Sequence, residues 1–246
     1  MENKNGNGVF LGVVAVATLI VAIIGATFAY FSATVNSDEG AVNLTAYQFD
    51  AAIASIEKVA PTTETGIIPL ATGLLNQGIV GFESNGKCID KNGKQVCVIY
   101  EATLANNGTS SVIFSAATLK TISNDFTRDN GSGTTITDLK AAYLGTGTSI
   151  PTAYIGTPVA VPVDSTAAAA TIDLNNTTIE VPAATTNGDA KQAGTAKLYF
   201  VVYLEEPVTP VNGDTAIDQS AYMNGTYSGQ LFLSTADGSR ITGTFE

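Results

Sequence analysis

The chain contains no histidine and no tryptophan, only two cysteines and two methionines, and only 11 basic residues against 22 acidic ones. Without histidine there is no Ser-His-Asp or Cys-His arrangement, no HExxH zinc site and no imidazole acid–base chemistry. Without a surplus of basic residues there is no counter-charge for a phosphate backbone. The net charge is −11, and no basic cluster is expected to break that acidity, so the sequence excludes nucleic acid as a partner. Carboxylate pairs remain as a catalytic resource. Within the predicted domain the tight pair, Glu205-Glu206, sits at a predicted strand end beside Pro207. Neighbouring strand residues point to opposite faces, so the two do not converge on one bond. No nucleophile, base or metal set assembles, and the sequence predicts neither an enzyme nor a bound cofactor or metal.

What is present begins with Val9–Phe31, an uncharged apolar run unmatched downstream. As a helix it would span roughly 34 Å, enough for a hydrocarbon core. Lys4 precedes it, and Asp38 and Glu39 follow. That asymmetry places the amino terminus inside and the rest outside. Residues 1–29 are therefore expected to be a signal peptide or membrane-spanning leader. Thr27 and Ala29 are the small residues that a signal peptidase requires before its cut, so the expected cleavage is Ala29–Tyr30. The new amino terminus would begin an extension, residues 30–42, in which Phe31, Ala33 and Val35 alternate with polar Ser32, Thr34 and Asn36. Such an amphipathic extended segment suits donor-strand addition to a neighbour's sheet edge. The plainer alternative is that these residues finish a membrane helix and lead into the domain.

Residues 43–246 read as strands and turns, and predict an all-β antiparallel sandwich of jelly-roll type behind one amino-terminal hydrophobic helix. Cys88 and Cys97 flank Asn92-Gly93, the strongest two-residue hairpin turn. In that register Ile89 faces Val96 and Cys88 faces Cys97 in a non-hydrogen-bonded pair, close enough for a disulfide. Such a bridge would stabilise by roughly 2.5–3 kcal/mol and agrees with an extracytoplasmic location. Two free buried thiols, or half of a metal site, are the alternatives.

Val98, Tyr100, Ala102 and Leu104 then share one strand face. Leu198, Phe200, Val202 and Leu204 alternate with Tyr199, Val201 and Tyr203, which predicts a central strand covered on both faces. At the carboxyl end a three-residue loop, Ala236-Asp237-Gly238, aligns Leu231 and Leu233 with Gly243 and Ile241. Leu139–Leu144 and the stretch around 51–59 are expected as short helices. Asp/Asn-rich loops at 124–130 and 212–218 lack the ligand spacing of a calcium loop and read as solvated turns.

The string Gly25-Ala26-Thr27-Phe28-Ala29-Tyr30-Phe31-Ser32-Ala33-Thr34, followed by Ala41-Val42-Asn43-Leu44, resembles the amino-terminal region of the TasA/camelysin family. Val202–Glu206, Tyr227–Gln230 and Ile241–Phe245 are similar in style to the carboxyl segments of leader-bearing surface proteins. The resemblance implies an exported Gram-positive protein that assembles into biofilm-matrix fibres. The Cys88–Cys97 hairpin and the long middle loops depart from the family pattern. The protease activity attributed to the camelysin branch implies a zinc site, which a chain without histidine does not readily supply. Expected partners are further copies of the chain, and the membrane through Val9–Phe31 while the leader is retained. The alternatives are a membrane-tethered binding module and a pilin-like subunit with the apolar helix in the filament core.

Overall fold

Ten consecutive residues from Ala51 form an extended edge strand, where the sequence suggested a short helix. Ala, Glu and Lys favour helix locally, but eight cross-strand neighbours, Ile99–Asn106, supply pairing and burial that outweigh propensity. The structure, a computed structural model, describes residues 50–62, 66–82, 86–129, 132–187, 190–206, 222 and 225–246. The leader, the cleavage position at Thr27, Ala29 and Tyr30, and the segment carrying Phe31, Ala33 and Val35 lie outside these residues.

The described chain is mostly β, in antiparallel sheets. In order the strands are β1 (Ala51–Ala60), β2 (Val98–Asn106), β3 (Val112–Phe114), β4 (Ala116–Asn124) and β5 (Thr127–Asp129). They continue with β6 (Thr135–Thr137), β7 (Leu139–Thr146), β8 (Ile155–Ala160), β9 (Ala170–Ile172) and β10 (Ile179–Val181). The last are β11 (Thr185–Asn187), β12 (Ala190–Gln192), β13 (Gly194–Leu204), β14 (Tyr227–Ser234) and β15 (Arg240–Phe245). The helical elements among the described residues are a 3₁₀ turn at Thr72–Leu74 and a short helix, α1 (Leu75–Val80). Leu139–Leu144, also expected as a helix, is the core of β7.

One sheet runs β1-β2-β13-β7-β8 and another β15-β14-β4-β9. Tyr100, Ala102 and Leu104 of β2 and Leu198, Phe200, Val202 and Leu204 of β13 share a single buried core with Leu119, Leu231, Leu233, Ile241 and Phe245 of the second sheet. The other face of β13 is covered too. Tyr199, Val201 and Tyr203 pack in a second core with Leu75, Ile79, Cys88, Cys97 and Ile99. The continuous apolar run of β13 therefore reflects a strand shared by two cores, as its pattern predicts.

At the carboxyl end, Leu233 pairs with Ile241 and Leu231 with Gly243. The Thr235 amide donates to the Ser239 carbonyl at 2.9 Å, and Gly238, at φ +88°, supplies the left-handed residue that a three-residue loop needs. Gly243 also brings the edges of the two sheets together. A Cβ there would lie 2.8 Å from Ile53 and 3.0 Å from Ile56 of β1.

Candidate docking cleft

Beside the shared core, space is left unfilled. Near the end of β1 a cavity of about 330 Å³ is lined by Lys58, Gln95, Tyr100, Phe126, Val202 and Tyr227. A second, about 440 Å³, lies beside Ile56, Ile122, Ser228, Thr244 and Phe245. Phe245 stands between them. It lines the second and packs its ring against Tyr100, Phe200 and Tyr227, with centroids 4.7, 5.1 and 5.9 Å away. Ile56 and Lys58 are two residues apart on β1, hence about 6.6 Å apart on one face, the interval at which alternate side chains of an added strand would arrive. Among the described residues β1 is an edge, with β2 as its partner strand.

The Tyr227 hydroxyl is buried with no hydrogen bond of proper geometry among the described residues. Burial pushes its pKa up to about 12, with the nearby Thr121 hydroxyl opposing. That hydroxyl is itself committed to the Pro162 carbonyl at 2.7 Å.

The wall by Phe126 is held by a polar clamp. Arg128 donates from Nε and Nη2 to the two carboxylate oxygens of Asp138 at 2.6 and 3.1 Å, and the Tyr222 hydroxyl donates to the same carboxylate. The hydrogen bond to Asp138 raises the pKa of Arg128, while burial chiefly raises that of Tyr222. The Asp138 carbonyl also accepts the Glu205 amide at 2.8 Å, so this residue ties the chain at both 205 and 222. Glu205 pairs with Lys140 at 2.9 Å and accepts the Thr72 hydroxyl, while the Glu206 amide donates to the Leu70 carbonyl. The Glu205 carboxylate and the Glu206 backbone are thus engaged in holding strand ends.

On the opposite side of the five-stranded sheet, Glu101 accepts the Tyr199 hydroxyl at 2.7 Å and pairs with Lys197 at 2.7 Å. Burial pushes the Glu101 carboxyl up, but the Lys197 and Tyr199 hydrogen bonds prevail and hold it below its ordinary value. Its contribution to stability is therefore complete above the unfolded carboxylate value and is lost as pH falls through the depressed folded one. Glu101→Gln is expected to flatten the acid limb of a melting-temperature profile below about pH 4.5. An unchanged acid limb would show that the pairing does not carry the acid sensitivity.

The two cysteines are joined, with Cα atoms 4.8 Å apart. Their register differs from the expected one. Ile89 pairs with Gln95 rather than Val96, and the Asp90 amide donates to the Lys94 carbonyl at 2.8 Å. The loop is therefore Lys91-Asn92-Gly93, three residues long, with Gly93 at φ +75°. Asp90 decides this: its carboxylate accepts the Asn92 and Lys94 amides at 2.9 and 2.6 Å, a local bonding pattern unavailable to a two-residue turn. The one-residue offset between the cysteines is absorbed at Cys88, which adopts φ +61°.

This hairpin also corrects the expectation that no basic cluster breaks the acidity. It carries exposed Lys91 and Lys94 and half-buried Lys87 against the single carboxylate of Asp90. Clustering within eight residues was visible in the sequence. What was not visible is that Gln95 of the same hairpin lines the cleft.

Of the Asp/Asn-rich loops, 212–218 lies outside the described residues. In the other, Asn124 bonds to the Phe126 amide, Thr137 and the Pro162 carbonyl, and Asp125 accepts both the amide and hydroxyl of Thr226. Among the described residues no three of His, Cys, Asp and Glu gather in a metal-binding group. Comparison with family models, with curated proteins and with solved structures finds no match.

Proposed function

We propose that this chain is a secreted, non-catalytic structural protein that assembles into a cell-surface or biofilm-matrix fibre, as its TasA/camelysin-like amino-terminal string implies, and does so by donor-strand addition of the alternating segment that follows the leader. In this reading the two sheets form a sandwich of jelly-roll type, and the leader is removed at Ala29–Tyr30. The freed segment then pairs with the outer edge of β1 on another copy, with Phe31, Ala33 and Val35 entering the clefts beside Ile56 and Lys58. The observation that carries it is the position of those clefts relative to the chain's entry.

The chain enters the sheet at Asp50, whose carbonyl accepts the Asn107 amide at 2.8 Å. Lys58 lies about 25 Å further along β1. Entry and cleft therefore lie toward opposite ends of β1, and insertion into another copy uses different surfaces of the two copies. A contact of that kind is heterologous and does not close, so repetition gives a filament. The clefts also offer the right chemistry: they are walled largely by aromatic and aliphatic side chains and flanked by β1, a strand paired with β2 along one side.

Amino-terminal sequencing of the mature protein tests the reading. A start at Tyr30, with filaments visible by electron microscopy, is the expected result. An intact Met1 would instead favour the membrane-tethered module, and a start near Asn7 the pilin-like subunit.

A further inference from the structure

We propose that the disulfide-bound hairpin is an electrostatic docking element, in which Lys87, Lys91 and Lys94 receive Asp38 and Glu39 of a second copy. The inference rests on the fibre reading and adds the element that steers and registers the incoming strand.

Three observations converge on it. The first is charge. On a chain of net charge −11, these lysines place three cations against one carboxylate within eight residues. Lys91 and Lys94 are exposed, and neither Lys87 nor Lys91 pairs with a carboxylate among the described residues. The other side of the same ledger is different: Arg128, Lys140 and Lys197 are each held by a carboxylate of the body.

The second is rigidity. The hairpin is bonded to the second core through Cys88 and Cys97, both fully buried, and its tip is fixed by the Asp90 carboxylate. Cations on such a support lose little freedom on meeting a partner.

The third is position. Gln95, which follows Lys94, lines the cleft, and its carbonyl accepts the Ile68 amide at 2.8 Å. The hairpin is thus the rim of the proposed acceptor. In the sequence, Asp38 and Glu39 follow Val35 by three and four residues, about 10–14 Å of extended chain. In the proposed docking, a strand seated with Val35 in the cleft carries its two carboxylates beyond it toward the hairpin that bears the lysines.

Complementary charge of this kind acts mainly on encounter rate and register, and it is screened by salt. The test uses the full mature chain, with assembly followed by light scattering at about 50 mM and about 500 mM salt, between which the screening length falls from roughly 14 Å to ~4 Å. Lys87→Glu, Lys91→Glu and Lys94→Glu together should slow assembly about 10-fold at low salt. Asp38→Lys with Glu39→Lys, which leaves the hairpin untouched, should slow it similarly. Combining all five should restore most of the rate, and high salt should erase the differences.

Wild-type rates for both charge-reversed proteins at low salt would overturn the inference, as would failure of the combined variant to recover. If assembly requires Tyr30–Asn36 but ignores every charge change, the hairpin's role falls and the fibre reading stands. If the wild-type chain forms no polymer, or one that survives loss of Tyr30–Asn36, the fibre reading falls and this inference with it.

Discussion

Deletion of Tyr30–Asn36 from the mature protein is expected to abolish filaments entirely while leaving a folded monomer. Donor-strand assembly has no partial form. Without Phe31, Ala33 and Val35 the clefts beside Ile56 and Lys58 receive nothing, and the backbone edge of β1 gains no partner. The body should be indifferent to the loss, because its two cores draw their described members from residues 51–245. Electron microscopy and sedimentation report the polymer, and circular dichroism with a thermal melt reports the fold. Filaments of normal length from the deleted protein would end the donor-strand account. The segment has a second destination to be distinguished in the same experiment. The 14 residues from Asn36 to Asp50 span up to ~45 Å, enough to reach the chain's own cleft. A wild-type protein that stays monomeric but melts lower after the deletion would mean docking within one copy.

The largest effect on stability is expected from Phe245→Ala. This residue, 5% exposed, closes the aromatic cluster formed with Tyr100, Phe200 and Tyr227, and it stands between the two cavities. Its truncation removes a large buried ring and joins space that is already poorly filled, so collapse around the vacancy offsets little. Phe→Ala changes at such positions cost about 3–5 kcal/mol. Equilibrium urea unfolding would show the shift in midpoint. A change within ~1 kcal/mol would mean that the carboxyl-terminal strand contributes little to the shared core.

The readable and unreadable parts of this fold divide along physical lines. β13 was legible because burial on both faces leaves its mark on every residue from Leu198 to Leu204, and no competing pattern explains seven apolar residues bounded by Lys197 and Glu205. The carboxyl-terminal hairpin was legible because only a three-residue loop puts Leu231 and Leu233 on the face of Ile241. The disulfide was anticipated, but the register of its hairpin was displaced by one residue. Asn-Gly dominates simple turn preferences, whereas the Asp90 carboxylate, two residues earlier, bonds the amides that select the longer loop.

β1 and β7 were mistaken for helices because their alanines, lysines and leucines favour helix in isolation. Their strand form depends on pairing with β2 and β13, which lie far away in sequence. Conversely, α1 escaped notice because it spans six residues and its first-turn groups lack a side-chain cap. The cleft itself was not legible at all. Its lining comes from segments as distant as Lys58 and Tyr227, and nothing local marks them as neighbours.

The opposite placement of chain entry and cleft has a consequence for growth. In the proposed fibre each newly seated subunit presents again the surfaces its predecessor offered, so the polymer carries a direction and its two tips are chemically different. A subunit deprived of Tyr30–Asn36 still offers an acceptor but has nothing to insert. It can therefore occupy only the tip where strands are received into its cleft, and there it ends extension, a terminator made from the protein's own body.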